Sequence, residues 1–294
     1  MSCFILTTVG GETLGGRRNL IINGAMQVNQ RAATSGVTSG YFVDRFTLSG
    51  CSASAVITSD IPTQFPTAIT VSATSGNPIV TQRIESKNIK HVSGKTVTAS
   101  FYAKNVSNAT TLYCSLSYAG STDNFGSSTT ITEHNLGSLT GDWVRYTASW
   151  TVPAAGLTGL ALNILCAGSS TFTMGVAGVQ LEVGTVATPF EHRSFGEESD
   201  LCKRYFEVGS FSMRVSGSII RAGQSYTVEK RASATVNVYY DSNKAAAGTI
   251  NVSNSTNSGW AEGGSTNYWN MEKNTGSDTD STDYNGYWTA EAEI

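Results

Sequence analysis

The chain has 294 residues, of which 14% are charged and 39% hydrophobic, and its formal net charge is −3 at pH 7. Soluble globular domains typically carry roughly 25% charged residues, so this composition is poor in charge. An aromatic fraction of 10% excludes an intrinsically disordered chain, which is poor in aromatic residues. Because the pI is near 5.6, no basic face for nucleic acid is expected, and no nucleic-acid partner is predicted.

Membrane and metal classes are also disfavoured. No apolar run approaches the roughly 18–20 residues of a membrane helix, so no membrane insertion is expected. Residues 1–10 lack the basic start and long apolar segment of a signal peptide, which predicts synthesis in the cytoplasm without export. The five cysteines are scattered, which disfavours a disulfide framework or a zinc site. Cys114 and Cys166 occupy apolar positions of alternating runs, and we expect them to be buried.

In chain order, residues 1–18 contain two Gly-Gly pairs and are predicted to form a flexible leader. Strands are expected over Asn19–Arg31 and Tyr41–Phe46. The middle of the chain then alternates apolar and polar residues with period two, which is typical of half-buried strands. The runs with this alternation are Lys95–Ala103, Leu112–Tyr118, Val144–Val152 and Leu160–Cys166. Turn-forming clusters separate them, so residues 19–193 are predicted to form a jelly-roll β-sandwich, and the class is all-β.

One segment departs from this alternation. Ser194 and Glu197 have the spacing of a capping box, in which each side chain bonds the backbone amide of the other residue. Leu201 and Tyr205 lie four residues apart and would share a helix face. The sequence therefore predicts a short linking helix of about three turns over residues 194–206.

Residues 207–294 are predicted to form a smaller C-terminal β domain at the tip of the molecule. This part is rich in Ser, Asn and Gly and carries large aromatic side chains, which can stack on sugars and keep a polar handle. The candidates for glycan binding are Trp260, Tyr268, Trp269, Tyr284, Tyr287 and Trp288. The alternative is that they fill a core or a trimer interface, and we expect about half of them to be core.

The middle region offers fewer aromatic candidates for binding. They are Tyr102, Tyr113, Tyr118, Trp143 and Trp150. Trp150 shares the apolar face of its run and is expected to be core. The sandwich is therefore expected to be a scaffold, with recognition at the C-terminal tip.

Catalytic and metal chemistry find little support. The three histidines stand apart in polar stretches, and no nucleophile, carboxylate pair or ligand spacing stands out. Asp278, Asp280 and Asp283 would supply oxygen ligands to a cation such as calcium, but the glycine and distal glutamate of an EF-hand are missing. A solvated acidic turn is the favoured interpretation. We predict no enzyme activity, no cofactor and no metal.

Several motifs together resemble a recurring module of tail-fibre-like and other virion proteins of bacteriophages and prophages, itself similar to carbohydrate-binding jelly rolls attached to glycoside hydrolases. The motifs are Asn19–Arg31, Asp44–Phe46, Gly178–Gly184, Thr188–Arg193 and Leu201–Tyr205. The resemblance covers roughly residues 19 to 206. It implies a trimeric, particle-attached and non-catalytic role.

The leading hypothesis is a fibre or spike subunit of a bacteriophage virion. It would form a homotrimer, contact another virion protein through residues 1–18 and bind polysaccharide of the host surface. Trimerisation would also cover exposed strand edges. The alternatives are a capsid or head fibre or decoration protein without receptor binding, and a polysaccharide-degrading tail spike. The sequence leaves open tail or head location, the host, the glycan, the docking partner and the strand order.

Overall fold

The structure is a computed structural model that describes the backbone of residues 8–9, 12–13, 17–74, 76–215, 219–239, 250–252, 255–257, 261–274 and 282–294. Side chains are described for residues 17–74, 76–168, 171–212, 223–239, 265–270 and 286–294. The chain forms two compact units. The first runs up to Phe195 and includes Ile294, and the second spans Gly196–Glu293. Strands dominate both units, which confirms the predicted all-β class.

Eleven strands are described in the first unit. They are β1 (Thr8–Val9), β2 (Glu12–Thr13), β3 (Gly40–Tyr41), β4 (Thr47–Ser49), β5 (Ala53–Ile57), β6 (Ala68–Ala73), β7 (Ile79–Ile84), β8 (Thr96–Ser121), β9 (Asn124–Ser138), β10 (Val144–Thr151) and β11 (Leu160–Val183). Short 3-10 turns lie at Ser86–Asn88, Lys90–Val92 and Ala154–Thr158. Strands β1 and β2 pair with each other, and the other nine form one antiparallel, curled sheet.

Two long strands turn this sheet into a sandwich. Strand β8 pairs with β10 through its first part and with β9 through its second part, while β11 pairs with β7 and then with β6. The ladder between β8 and β11 shifts register around Gly168–Met174, where bulges allow both strands to bend. We call the order β10-β8-β11-β6-β5 layer A and the order β9-β8-β11-β7-β4-β3 layer B.

The core lies between the two layers. Alternate residues of β8 and β11, such as Phe101, Leu112, Cys114 and Ile164, belong to one buried cluster. Trp150 joins it, and its Nε1 donates to the carbonyl oxygen of Thr132 at 2.9 Å. The predicted sandwich with alternating buried positions is thus confirmed. The runs Lys95–Ala103 and Leu112–Tyr118, predicted as separate strands, are two parts of the single strand β8.

Two predicted strands at the start of the first unit are wrong. Residues 19–31 form an irregular segment, and of the second candidate only Tyr41 lies in a strand, which spans Gly40–Tyr41. Asn23 and Met26 have positive φ angles of 59° and 56°, which a strand does not accommodate. The side chain of Asn23 also donates to the carbonyl oxygens of Val28 and Asp44, so side-chain hydrogen bonds replace strand pairing here.

The helix α1 (Phe195–Lys203) is shorter than the predicted 194–206. Its C-terminal carbonyls are satisfied by the second unit: Lys203 O accepts from Lys230 Nζ at 2.6 Å, and Arg204 O accepts from Arg231 N at 3.1 Å. A strand begins at Phe206 and pairs with the end of the chain at Glu291. These contacts join α1 to the second unit, to which all of its residues except Phe195 belong.

The second unit has eight described strands. They are β12 (Phe206–Val215), β13 (Ile219–Ser225), β14 (Thr235–Tyr239), β15 (Ile250–Val252), β16 (Ser255–Asn257), β17 (Ala261–Gly264), β18 (Tyr268–Asn274) and β19 (Thr282–Glu291). One sheet has the order β12-β19-β15-β16, with β14 also on β19, and the other has the order β13-β18-β17. A small core around Tyr226, Val238, Trp269 and Trp288 is shared by them.

Candidate functional site

The four predicted glycan-binding residues of the second unit whose side chains are described do not form one surface. Trp269 and Trp288 are 0% and 3% exposed, and their ring centroids are 5.8 Å apart where the two sheets face each other. Neighbouring residues of a strand point to opposite faces. Tyr268 and Tyr287, which are 51% and 38% exposed, therefore lie on the outer faces of two different sheets. Trp269 and Trp288 belong to the core half of the predicted set.

The remaining candidates of that region lie outside the described side chains. They are Trp260, Tyr284, Asp278, Asp280 and Asp283. Across the part of the chain that the structure does describe, no group of three or more His, Cys, Asp or Glu residues could hold a metal ion. In the same residues, no helix has the length and apolar character needed to cross a membrane.

The motif residues that carry the family resemblance have a structural task. Asn19 is buried, its Oδ1 accepts from the amides of Ile21 and Leu181 at 3.0 Å each, and its Nδ2 donates to Val179 O. The Glu191 carboxylate accepts from the amides of Arg18 and Asn19 at 3.0 and 2.8 Å. These bonds hold the irregular N-terminal segment against β11.

Other residues of the same motifs hold the segment that follows β11 against that strand. The Glu182 carboxylate accepts from the amide and the hydroxyl of Thr188 at 2.8 and 2.7 Å. Gln180 donates to Glu182 at 2.8 Å, and its Oε1 accepts from the amide of Glu191 at 2.8 Å. Gln180 and Glu182 are both buried, so their polar groups stabilise the fold instead of facing a ligand.

A more open arrangement lies on the outer face of layer B. In the registers of this layer, one row of polar residues crosses five neighbouring strands. This polar row consists of Thr47, Thr81, Asn163, Ser115 and Glu133. Adjacent strands lie about 4.8 Å apart, so the row extends over roughly 19 Å. The residues between these positions, such as Cys114 and Ile164, point into the core.

Hydrogen bonds join the centre of the polar row. The Thr81 hydroxyl donates to Asn163 Oδ1 at 2.8 Å, and Asn163 Nδ2 donates to the Ser115 and Ser117 hydroxyls at 3.3 and 3.4 Å. Ser115 and Ser117 are buried, whereas Thr81 and Asn163 are half-buried. The Thr81 hydroxyl and the Asn163 amide oxygen each keep an acceptor position for a ligand. The Asn163 amide is oriented by its neighbours before any ligand arrives.

An apolar row runs beside the polar row. Ile79, Leu165 and Tyr113 lie side by side on β7, β11 and β8 and are half-buried. On the other side of the polar row, the Arg83 guanidinium carbon lies 5.1 Å from the centroid of the Phe125 ring. Hydrogen-bonding groups are therefore bordered by apolar and aromatic surface on both sides.

Charge on this face is concentrated at two ends. Glu133 is exposed at the β9 edge. Burial raises the pKa of the Cys114 thiol beneath it, and the Glu133 carboxylate raises that pKa further. At the opposite end, Arg83 Nη1 and the Tyr41 hydroxyl donate to Ile294 O, at 2.6 and 3.0 Å, within the first unit. The part of the face available to a ligand therefore centres on Tyr113, Asn163 and Glu133.

Sequence reasoning found only part of this face. It proposed Tyr113 as one of few aromatic candidates but did not identify Thr81, Asn163 or Ser115. Their outward positions follow from the same period-two alternation that defined the core. Alternation within one strand does not reveal the register between strands, and it is this register that brings residues from five strands into one row. Of the other aromatic candidates, Tyr118 packs partly against the core, and Tyr102 and Trp143 lie on layer A.

No protein-family model and no curated protein matches this sequence. Among solved structures, the chain is similar to the enzymatically active domain of tailspike protein 4 of bacteriophage CBA120, with 18% identity and a TM-score of 0.38 over 56% of this chain and 21% of that one. A structure from Bacteroides thetaiotaomicron, which is named as that of a sugar-binding protein, is matched with 15% identity and a TM-score of 0.38, over 56% of this chain and 100% of that one.

A family 22 carbohydrate-binding module of Clostridium thermocellum Xyn10B is matched with 18% identity and a TM-score of 0.36, over 53% of this chain and 98% of that one. This chain spans about a fifth of the tailspike chain. These likenesses describe a shared general shape and assign no ligand to this chain.

Proposed function

We propose that this chain is a non-catalytic structural subunit of a bacteriophage virion that binds host-surface glycan through the outer face of layer B. The observation that carries the glycan-binding part is the polar row beside the apolar row on that face. The virion location rests on the family resemblance of the motifs between residues 19 and 206.

The two rows match the chemistry of a sugar chain. A pyranose ring has C–H groups on its faces and hydroxyls around its edge. The ring of Tyr113 offers a rigid apolar surface for the C–H groups, and aromatic side chains combine this surface with a polar tip. Asn163 and Glu133 offer an amide and a carboxylate for the hydroxyls. A few placed polar groups on an apolar surface are typical of specific ligand sites.

The length of the face favours a polymer over a single sugar. The polar row crosses five strands over roughly 19 Å, so several sugar units could lie along it. Each contact would be modest because the groups remain near water, and affinity would come from the sum of neighbouring units and from multiple copies of the chain. Repeating polysaccharides of a bacterial surface have this form.

Binding can be tested with the full chain on a microarray of purified bacterial capsular polysaccharides and lipopolysaccharides. Removing the aromatic surface with Tyr113→Ala, or the amide with Asn163→Ala, should weaken binding about tenfold, since each lost contact is worth on the order of 1–1.5 kcal/mol. Phe195→Ala is the matched control because Phe195 is an exposed aromatic residue outside layer B and outside the predicted glycan-binding set, and it should bind like the unchanged chain.

The proposal fails if the unchanged chain binds none of the polysaccharides, or if both Tyr113→Ala and Asn163→Ala bind like it. The bound polysaccharide should also stay intact. Release of reducing ends or unsaturated sugars during incubation would instead support a polysaccharide-degrading spike.

The quaternary part of the proposal is a homotrimer that docks to another virion protein through residues 1–18. Native mass spectrometry of the purified chain should give three copies at micromolar concentration, and a stable monomer would contradict it. Antibody labelling of intact particles should mark the tail fibre, and label on the head would favour the head-fibre alternative. Deleting residues 1–18 should leave the trimer intact and abolish its incorporation into particles.

A further inference from the structure

A second aromatic surface lies on the outer face of layer A, on the other side of the sandwich from the polar row. Trp143 directly precedes β10, next to Lys104 of β8 and Gly175 of β11. An ideal Cβ on Gly175 would lie 2.7 Å from Trp143 Cη2. The indole therefore lies across the backbone of β11, which only a glycine permits.

The indole is held in this position from its edge. Trp143 Nε1 donates to the carbonyl oxygen of Asp60 at 2.8 Å, and Asp60 has a positive φ of 51°. The Trp143 ring is half-buried, and its orientation is set before any ligand arrives. A preorganised side chain loses little conformational entropy on binding.

An ion pair lies beside the ring. Lys104 Nζ is 2.7 Å from Asp60 Oδ2 and 5.9 Å from the centroid of the Trp143 ring. The Asp60 side chain is 73% exposed, whereas that of Lys104 is 12% exposed. The carboxylate thus presents acceptor positions to solvent next to an aromatic surface, while Lys104 keeps it in place.

We propose that Trp143, Asp60 and Lys104 form a second glycan subsite, in which a neutral hexose stacks on the indole and its hydroxyls donate to Asp60. The proposal rests on the proposed glycan-binding function and extends it, because the two sites lie on opposite outer faces of one sandwich. A single chain would then hold two segments of surface polysaccharide.

The test is isothermal titration of the full chain with an oligosaccharide prepared from the polysaccharide that binds most strongly on the microarray. Two sugar chains per protein chain are expected. Trp143→Ala and Asp60→Ala should each remove or weaken one site about tenfold and leave the other. Because Asp60 has a positive φ, which strains an alanine but not an asparagine, Asp60→Asn is added. It keeps the carbonyl that accepts from Trp143, removes the carboxylate and should also weaken that site. Asp142→Ala, a neighbouring exposed carboxylate, is the matched control and should change nothing.

The outcomes separate the two proposals. A single site that Tyr113→Ala removes, and that Trp143→Ala and Asp60→Ala leave unchanged, would overturn the second subsite and keep the proposed function. A single site that the Trp143 and Asp60 variants remove, and that Tyr113→Ala leaves unchanged, would support the second subsite and overturn the layer B face. No binding by the unchanged chain to any polysaccharide would overturn both.

Discussion

A buried ion pair in the second unit gives the sharpest test of how this structure is stabilised. Lys230 and Glu207 are 1% and 3% exposed, and Lys230 Nζ donates to Glu207 Oε2, to Lys203 O at 2.6 Å and to Val228 O at 2.9 Å. Burial lowers the pKa of Lys230, and the Glu207 carboxylate opposes that shift. Replacing the lysine with methionine keeps most of its volume but removes the charge and all three hydrogen bonds.

We expect Lys230→Met to destabilise the second unit by about 3–5 kcal/mol, because breaking a buried pair leaves an uncompensated buried charge. The same change also leaves the C-terminal carbonyl of α1 without its donor. For a unit of this size, each kcal/mol corresponds to roughly 4–8 °C in melting temperature, so a fall of at least about 12 °C is expected. Differential scanning calorimetry, with near-UV circular dichroism to follow the buried Trp269 and Trp288, measures it.

Two further variants isolate the cause. Lys230→Met combined with Glu207→Leu removes both charges and should recover most of the lost stability, because a buried pair replaced by apolar residues is often neutral or better. Lys203→Met is the matched control in the same unit, since Lys203 Nζ lies 3.3 Å from Asp200 Oδ1 and the two side chains are 26% and 61% exposed. A solvent-exposed pair of this kind contributes about 0–1 kcal/mol. The reasoning is refuted if Lys230→Met shifts the melting temperature no more than Lys203→Met, or if the double variant is as unstable as the single one.

Three other predictions concern single groups. Burial, with a smaller contribution from Glu207, raises the pKa of Tyr226 to about 12, whereas an unfolded tyrosine titrates near 10. The stability that this shift supplies is complete below pH about 10 and is lost as the pH rises towards 12. Urea should therefore unfold the second unit more easily over that range, and Tyr226→Phe should remove this pH dependence. Burial raises the pKa of the Cys166 thiol to about 12 and also raises the pKa of the Cys114 thiol. Both thiols should resist a thiol reagent at pH 8 and react once the chain is unfolded in urea. Fast labelling of these cysteines in the folded chain would contradict their burial. Asn19→Ala removes three hydrogen bonds of a buried amide and should lower the unfolding free energy of the first unit by about 2–4 kcal/mol, measured by urea titration, with exposed Asn124 as the control position.

Where the chain forms regular strands, much of the sandwich could be predicted from local sequence. The alternating runs identified most buried positions of β8, β10 and β11, including Cys114 and Trp150, although Val144 at the start of β10 is exposed. Alternation works there because successive side chains of a strand point to opposite faces, so a period of two in the sequence reports burial directly. The irregular segment 19–31 escaped the same reasoning. Side-chain hydrogen bonds from asparagines and positive φ angles fix the backbone of this segment. Its apolar residues are therefore buried without any periodic pattern in the sequence.

The aromatic residues of the second unit show a further limit. Tyr268 with Trp269, and Tyr287 with Trp288, are adjacent pairs of similar character, and composition gives no means of telling which member is buried. Their burial depends on which face of each sheet meets the other, and the two tryptophans occupy that contact. Alternation alone requires the members of each pair to lie on opposite faces.

By itself, the sequence determined the all-β class, the alternating core of the sandwich and the presence of one short helix, because each depends on neighbours within a few residues. Only the tertiary structure decided the bending of β8 and β11 into both layers, the hydrogen bond from Lys230 to the C-terminal end of α1 and the register across five strands. That register places Asn163 between Thr81 and Ser115. Contacts of this kind join residues far apart in the chain, and their geometry is set by the pairing of whole strands rather than by any local pattern.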